Sequence, residues 1–302
     1  MSISTFDVIS RLRELRARLR SVRDKALVSN LIREMNESPQ SYPSLPISSL
    51  GLKEIQQLLG LRQMKENSDT ELQDVQPVSL PAELRKHFSR ISHAVGRGPN
   101  TEAHNRFTLN ELIFYAHEHV QKSRSTKSSS IYVQAERTWS YEPVRWKRKL
   151  WSLKGRPDYS IWYGAEEEVS VNVIAIEAKS DSGFSSGIPQ VLGYMGAVHL
   201  HRKQQKKLDS TVYGVSADKY NFWFGKLGGN SQWTQRIVMA YESNYEAAYG
   251  ILIHMMNKAT TISPSHSQLP STQTHSHESS RESRKSKISF HVKDNDVAME
   301  DF

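Results

Sequence analysis

The stretch Val173-Ile174-Ala175-Ile176-Glu177-Ala178-Lys179 joins an apolar run directly to two charged side chains. An uninterrupted apolar run is typical of a central strand that helices cover on both faces. Because side chains two apart on a strand point the same way, Glu177 and Lys179 should share one face, with Ala178 on the other. The stretch therefore predicts a buried strand that ends in a carboxylate beside an ammonium group.

A second strand is predicted at Asp158–Tyr163, after Gly155-Arg156-Pro157 and before a polar connection to the first strand. If the two strands pair antiparallel, Asp158 and Glu177 lie about 5 Å apart, the spacing of neighbouring strands. Two carboxylates this close repel each other unless a cation lies between them, and carboxylate oxygens suit Mg²⁺ or Mn²⁺. Such a metal would polarise a phosphate oxygen and a bound water, while Lys179 would orient that water or balance charge.

Helix and strand patterns surround these two strands. In chain order we predict a helix capped at Asn100 or Thr101, strands at 131–136, 158–163 and 171–179, a helix at 188–201, strands at 211–215, 220–226 and 233–241, and a helix that begins with a capping box of Ser243 and Glu246. The predicted fold is α/β, with a mixed central β-sheet and its core helices on opposite faces.

Composition divides the chain into four regions. We predict a basic amphipathic helical arm in residues 1–35, a linker with a short docking helix in 36–98, the α/β domain in 99–258 and a disordered tail in 259–302. The arm, helical from Phe6 to Met35, is expected to pack on the body or on another copy of itself. A nucleic-acid contact through its arginines is the alternative.

The whole-chain composition restricts the function classes. The chain has 302 residues, no cysteine and a formal net charge of +8. Without cysteine, disulfides, thiolate zinc sites, iron–sulfur clusters and cysteine nucleophiles are excluded. The positive charge favours nucleic acid as partner. No segment approaches the ~20 apolar residues of a membrane span, and no secretion signal is recognisable. We therefore expect an intracellular protein, nuclear or cytoplasmic, that does not enter a membrane.

Three motifs follow one another in the order found in one family of nucleases. Gly155-Arg156-Pro157-Asp158, Ile176-Glu177-Ala178-Lys179 and Gln190-Val191-Leu192-Gly193-Tyr194 match the signatures GxxD, (D/E)xK and QxxxY. From about Glu102 to Met256 the chain resembles the PD-(D/E)XK nucleases, in particular the RecB-like branch and the PD-(D/E)XK nuclease-like domains of fungal proteins. The resemblance implies a restriction-endonuclease-like core and a metal-dependent hydrolase that acts on DNA or RNA.

The resemblance also implies roles for individual residues. The implied catalytic residues are Asp158, Glu177, Lys179, Glu102, Gln190 and Tyr194. The two strand carboxylates would bind Mg²⁺ (or Mn²⁺) together with Glu102, the acid of the first core helix. The lysine would position water or stabilise charge. The last two residues, one helical turn apart, would contact the substrate phosphate or the surroundings of the lysine. Glu111 and Glu118 are alternatives for the first-helix acid.

Other interpretations stay open. The same fold without turnover would be a nucleic-acid-binding module, and the N-terminal helix could instead serve a protein-interaction scaffold. Basic and aromatic residues alternate before Asp158, at Arg137, Trp139, Arg145, Trp146, Lys147, Arg148, Lys149 and Trp151. This pattern suits phosphate contact and base stacking, and it suits equally a basic hairpin with buried tryptophans.

Overall fold

The computed structural model describes residues 5–19, 21–37, 42–65, 69–96, 101–123, 131–163, 172–180, 183–240, 244–261 and 287–291. The chain divides into two compact units, Met1–Pro43 and Ser44–Phe302. Ser243, the first residue of the predicted capping box, lies outside the described residues. So does most of the tail that was predicted to be disordered.

The first unit contains two helices, α1 (Thr5–Arg18) and α2 (Val22–Glu37). The sequence predicted one helix from Phe6 to Met35, and that prediction is wrong. The Ser21 hydroxyl accepts the backbone N–H of Asp24 at 3.3 Å. A serine that binds a free backbone N–H in this way favours the start of a new helix over continuation of the old one.

Helix α1 is basic, and both helices of this unit leave apolar side chains in solvent. Leu15, Leu27 and Leu31 are exposed by 47%, 62% and 42%. Packing of the N-terminal region on another copy of the chain stays a prediction.

The second unit is a mixed α/β fold. Its elements are β1 (Ser44–Pro46), a 3-10 turn (Ile47–Ser49), α3 (Leu52–Leu59), β2 (Arg62–Gln63), α4 (Ala82–Val95), α5 (Glu102–Lys122), β3 (Ile131–Ala135), β4 (Thr138–Trp146), β5 (Lys149–Gly155), β6 (Tyr159–Tyr163), β7 (Asn172–Ala178), α6 (Phe184–Gln204), β8 (Val212–Ala217), β9 (Asn221–Leu227), β10 (Gln232–Met239), α7 (Glu246–Thr261) and β11 (Lys287–His291). All the strands predicted from the sequence are present, and β4 and β5 form the basic hairpin that was one of two alternatives for the basic and aromatic run. Strands β1, β2 and β11 were not predicted.

The central sheet has seven strands in the order β2-β10-β9-β8-β7-β6-β3. Strand β7 is antiparallel to β6 and parallel to β8, so the sheet is mixed. This confirms the predicted fold class. The register pairs Tyr159 with Ile176, and the next pair outward along the same ladder is Asp158 with Glu177.

Helices cover both faces of this sheet, as the apolar β7 sequence predicted. One face packs against α5 and α7, in a core that includes Leu112, Val215 and Leu252. The other face packs against α6, in a core that includes Met195 and Trp223. A buried strand is most stable when its backbone N–H and C=O groups are hydrogen-bonded to strands on both sides. Strand β7 pairs in this way with β6 and β8.

A second sheet, in the order β1-β5-β4-β11, packs on the outer side of α6. Helix α6 therefore lies between two sheets, which explains why its sequence is apolar or small on nearly every side. Strand β11 pairs antiparallel with β4 and lies inside the region predicted to be a disordered tail. An open strand edge offers unpaired backbone groups that such a segment can bind.

The region predicted as a linker contributes to the folded unit. The expected docking helix is α3, whose Ile55 and Leu59 join the core around α6. Helix α4 was not predicted, and its Leu84 joins the core on the opposite face. Among the described residues, no helix has both the length and the apolar character needed to cross a membrane.

Candidate active site

Asp158 and Glu177 lie on neighbouring strands at the same end of the central sheet. Asp158 directly precedes β6, and its Oδ2 accepts the backbone N–H of Ala178 at 2.6 Å. Glu177 is the second-to-last residue of β7. The two residues are 5% and 4% exposed, so their carboxylates have lost almost all contact with water. Ala178 packs in the core on the α5 and α7 side, opposite to Glu177, as the alternation predicted.

The two oxygens of Glu177 have different surroundings. Oε1 accepts one hydrogen bond from the Lys179 ammonium and one from the Gln190 amide, each at 2.7 Å. Oε2 is buried and has no hydrogen-bond partner among the described residues. A buried carboxylate oxygen without a partner is costly, so its presence in a folded chain calls for an explanation.

Burial and neighbouring charge act together on the acidic pair. Burial, followed by the negative charge of Asp158, raises the pKa of Glu177 to about 7. Burial also raises the pKa of Asp158, although the Ala178 N–H and the Arg106 guanidinium oppose this. Two carboxylates that resist joint ionisation form a site where a cation would be strongly attracted.

Helix α6 brings the third motif to the same place. Gln190 Nε2 donates to Glu177 and also to the hydroxyl of Tyr194, at 3.0 Å. Burial raises the pKa of Tyr194, so this hydroxyl stays neutral at physiological pH. A side chain at position 155 would overlap the Tyr194 ring, which is why Gly155 is needed there. The residues of all three motifs therefore meet in space.

Arg106, which had no role in the sequence-based prediction, lies among the acidic residues. Its Nη2 donates to Asp158 Oδ1 and, at 3.0 Å, to Glu102 Oε1, while Nη1 donates to Glu136 Oε1 at 2.8 Å. The sequence did contain a signal for this contact, because Arg106 lies four residues after Glu102 on the same helix, where the two side chains are neighbours. The guanidinium provides the positive charge that the sequence had led us to expect from a metal ion.

Glu102 was chosen from the sequence because it would lie on the buried face of its helix. Its side chain is instead 43% exposed, because it occupies the first residue of α5, where no further turn covers it. The alternatives lie elsewhere: Glu111 binds His87 Nδ1 at 2.7 Å, and Glu118 pairs with Lys122 at 2.5 Å. Of the three acids, Glu102 is the one that shares a guanidinium with Asp158.

Asn105 is a second residue of α5 that the sequence did not identify. It is 3% exposed, and its Nδ2 donates to the backbone carbonyl of Lys179 at 2.8 Å. The Lys179 backbone N–H in turn donates to the Ala217 carbonyl at 2.7 Å. These two bonds fix the backbone of the lysine just after β7 ends.

The donor set can be tested for its fit to Mg²⁺. No group of three or more His, Cys, Asp or Glu residues in the described part of the chain is arranged to hold a metal ion. Asp158 and Glu177 supply two carboxylates, and Glu177 Oε2 is without a partner. Hard carboxylate oxygens, completed by water, are what Mg²⁺ prefers. The residues fit Mg²⁺ as a two-carboxylate site, on the condition that Arg106 releases Asp158 Oδ1.

The chain matches no protein-family model and no curated protein. What the site can do therefore has to be argued from its own chemistry. One ammonium and one amide donate to the buried carboxylate of Glu177, the buried carboxylate of Asp158 lies directly before the neighbouring strand, and this set suits chemistry on a phosphate group.

Proposed function

We propose that this chain is a Mg²⁺-dependent (or Mn²⁺-dependent) nuclease that hydrolyses phosphodiester bonds of DNA or RNA in the nucleus or the cytoplasm. The observation that carries the proposal is the buried, unpartnered Oε2 of Glu177, next to Asp158 and Lys179. A structural ion pair would use both oxygens, because an orphan buried acceptor costs stability. The ordered GxxD, (D/E)xK and QxxxY motifs support the same class.

Asp158 and Glu177 would hold the metal, with Glu102 as the third acid once Arg106 has moved. When bound there, Mg²⁺ would supply Lewis acidity toward a phosphate oxygen and toward water. Lys179 orients the attacking water and balances the negative charge that builds on the phosphate. The water oxygen bonds to phosphorus and releases a proton to solvent, the P–O bond to the leaving nucleotide breaks, and the leaving oxygen takes up a proton from solvent.

Gln190 and Tyr194 act on the geometry of Glu177. The Gln190 amide fixes Oε1 at 2.7 Å, and the Tyr194 hydroxyl lies 3.0 Å from the same amide nitrogen. Since both side chains come from one buried helix, Glu177 cannot rotate freely. The free oxygen is thereby held in one direction, which is what preorganised catalysis requires.

The exposed fraction of side chains rises from Glu177 outward, and this indicates where a substrate enters. Lys179 is 15% exposed, Arg106 30% and Arg156 57%. A phosphate that approaches from this side meets these cations together with Glu102 and Glu136, which pair with the arginines and are 43% and 45% exposed. The formal net charge of +8 favours a polyanionic substrate.

A second candidate is a nucleic-acid-binding module without turnover. The observation in its favour is that protein donors already occupy both oxygens of Asp158, namely the Ala178 N–H and Arg106. If the guanidinium never leaves, the site keeps the fold and the cationic entrance but lacks a metal ligand.

A cleavage assay separates the two candidates. Labelled single-stranded and duplex DNA and RNA are incubated with the full chain in Mg²⁺, Mn²⁺ or EDTA. We expect cleavage in either metal and none in EDTA. Glu177→Gln keeps the side-chain shape but removes a ligand charge, and Lys179→Ala removes the cation, so each should reduce the rate by about 10³-fold or more.

Binding, measured in EDTA, provides the control. Glu177→Gln should bind nucleic acid as well as wild type or slightly better, because a carboxylate no longer repels the phosphate. Wild-type binding without cleavage of any substrate in either metal would establish the binding module instead. Absence of both binding and cleavage would leave the interaction scaffold as the function to pursue.

A further inference from the structure

The turn between β4 and β5 has an unusual residue composition for its backbone geometry. The register pairs Trp146 with Lys149, so Lys147 and Arg148 form a two-residue hairpin loop. Both have positive φ, 48° and 66°. Hairpins with two left-handed loop residues strongly favour Asn-Gly, because any residue with a Cβ is strained there. This chain places two long cationic side chains at these positions.

The strained turn concentrates positive charge in solvent. Arg145, Lys147, Arg148 and Lys149 are all exposed. Among the described residues, the ion pair found for this group joins Lys147 Nζ to Glu54 at 3.8 Å. This pair is weak, because the distance is long and the lysine side chain is 73% exposed. Four neighbouring cations with so little compensation repel one another. Strain and repulsion that the fold does not need point to a function.

The tryptophans of the hairpin are buried, in the case of Trp139, or half-buried, in the case of Trp146 and Trp151. Trp139 is 3% exposed and packs edge-on against Tyr194, with ring centroids 5.4 Å apart. Trp146 is half-buried, and the Lys147 ammonium lies 5.3 Å from the centroid of its ring. The surface that the tip offers is therefore cationic, which suits contact with phosphates and not with bases.

Strand β5 connects this tip to the candidate active site. It runs from Lys149 at the tip to Gly155, which lies against Tyr194. At about 3.3 Å per residue, the strand spans about 20 Å. The same length of duplex corresponds to about six base pairs at 3.4 Å each.

We propose that the hairpin tip, Arg145 to Lys149, binds the phosphodiester backbone of a nucleic acid at about six base pairs from the bond that is cleaved. This rests on the proposed function, because it takes the scissile phosphate to lie at Asp158 and Glu177. The contact is independent of base sequence. It holds a long substrate in place while the carboxylate site acts on it.

The double substitution Lys147→Asn/Arg148→Gly tests the proposal because it affects folding and binding in opposite directions. Asn-Gly is the preferred pair for this turn, so the melting temperature should rise. Affinity for a labelled 20-base-pair DNA duplex in EDTA should fall about tenfold, and the slope of log Kd against log salt should drop by about 2. A variant that binds more weakly while it melts higher cannot be explained by misfolding.

A matched pair of cations on the other face of the sheet is the control. Arg85→Gln/Lys86→Gln removes the same charge from α4, where the side chains are 58% and 61% exposed, and should leave the salt slope unchanged. A duplex of about five base pairs is too short to reach the tip from the site. Its cleavage in Mg²⁺ should therefore be equal for wild type and the Asn-Gly variant.

The outcomes distinguish this proposal from the proposed function. If the Asn-Gly variant keeps the wild-type affinity and salt slope while both proteins cleave the duplex, the hairpin assignment is wrong and the nuclease stands. If both double variants lose affinity equally, the effect is one of total charge and the assignment is again wrong. If the hairpin variant loses affinity but no variant cleaves, the surface stands and the nuclease does not.

Discussion

In the described part of the chain, two clusters with little solvent exposure each join a lysine to a glutamate, and they differ in how many glutamate oxygens are bound. In the first, Glu177 has one oxygen without a partner among the described residues, and its pKa is raised to about 7. In the second, Lys226 Nζ lies 2.6 Å from Glu71 Oε2, and both oxygens of Glu71 are bound. The clusters lie at opposite ends of β8, because Glu177 pairs with Ser216 and Glu71 binds Tyr213.

The Glu71 cluster satisfies its charges. Tyr213 donates to Glu71 Oε1 at 2.8 Å and His254 at 2.9 Å, while Lys226 also binds Asp69 at 2.6 Å. Burial raises the pKa of Glu71, but the hydrogen bonds from Lys226, His254 and Tyr213 outweigh it and lower the pKa to about 2. This network joins the segment after residue 69 to β9 and α7. Both carboxylate oxygens of Glu71 are therefore bound, as a purely structural role requires. Glu177 keeps one oxygen without a partner among the described residues, which is what we expect of a binding site.

The largest expected contrast comes from removing each lysine. Lys226→Met leaves Asp69 without its cation and Glu71 with the hydrogen bonds from Tyr213 and His254 alone, and should lower the free energy of unfolding by about 3 kcal/mol. Lys179→Met should lower it by about 1 kcal/mol or less, because Glu177 can take up a proton near pH 7 instead. Urea unfolding at pH 7 in EDTA measures both. Equal losses would show that the two clusters serve the same structural role.

The pH dependence of stability should have opposite signs at the two glutamates. The pKa of Glu71 is about 2 in the folded state against 4.5 for the free side chain. Its contribution is therefore present above pH 4.5 and lost as pH falls toward 2, and Glu71→Gln should cost about 2–3 kcal/mol at pH 7. Melting temperatures across this range provide the measurement.

For Glu177 the sign is reversed. Its folded-state pKa of about 7 lies above 4.5, so the ionised carboxylate destabilises the fold. The penalty is absent below pH 4.5 and grows until pH passes 7. In EDTA, Glu177→Gln should therefore gain about 2 kcal/mol relative to wild type between pH 5 and pH 8. A difference that does not change with pH would mean that Glu177 carries no unusual pKa.

Metal addition should act on one cluster alone. At pH 8, Mg²⁺ at ten to thirty times its Kd should stabilise wild type by about 1–2 kcal/mol, compared with KCl of the same ionic strength. Glu177→Gln should lose this gain and Glu71→Gln should keep it. Stabilisation of all three proteins to the same extent would place the metal somewhere else.

The fold was predictable where the pattern is local. The apolar run that ends in Glu177-Ala178-Lys179 predicted a buried strand, and the strand that precedes it in the chain placed Asp158 beside it. The hairpin of β4 and β5 was one of two open interpretations and not a firm prediction, because Pro143 argues against a strand and Lys147-Arg148 lacks the usual turn residues. These strands form because their buried side chains pack on α6, which no local pattern shows.

The site was predictable to the extent that motifs mark it. Asp158, Glu177, Lys179, Gln190 and Tyr194 come together as the motif order suggested. Arg106 was missed because, next to Glu102, it looks like an ordinary pair on a helix surface. Its contact with Asp158 joins residues 52 positions apart. The Glu71 cluster joins still more distant segments, and only the fold brings them together.

The smallest expected effect is the change in Mg²⁺ affinity on replacing Arg106. Its guanidinium binds Asp158 Oδ1, where a metal ion would bind. If guanidinium and metal compete for Asp158 Oδ1, Arg106→Gln should bind Mg²⁺ about five- to tenfold more tightly, a gain of about 1 kcal/mol. Titration calorimetry at pH 8 measures this without any substrate. Arg85→Gln, which breaks an exposed 3.3 Å pair with Glu246, is the control and should leave the affinity unchanged. Weaker Mg²⁺ binding by Arg106→Gln would mean that the arginine holds Asp158 in position for the metal, and the two clusters would then differ less than their pKa values indicate.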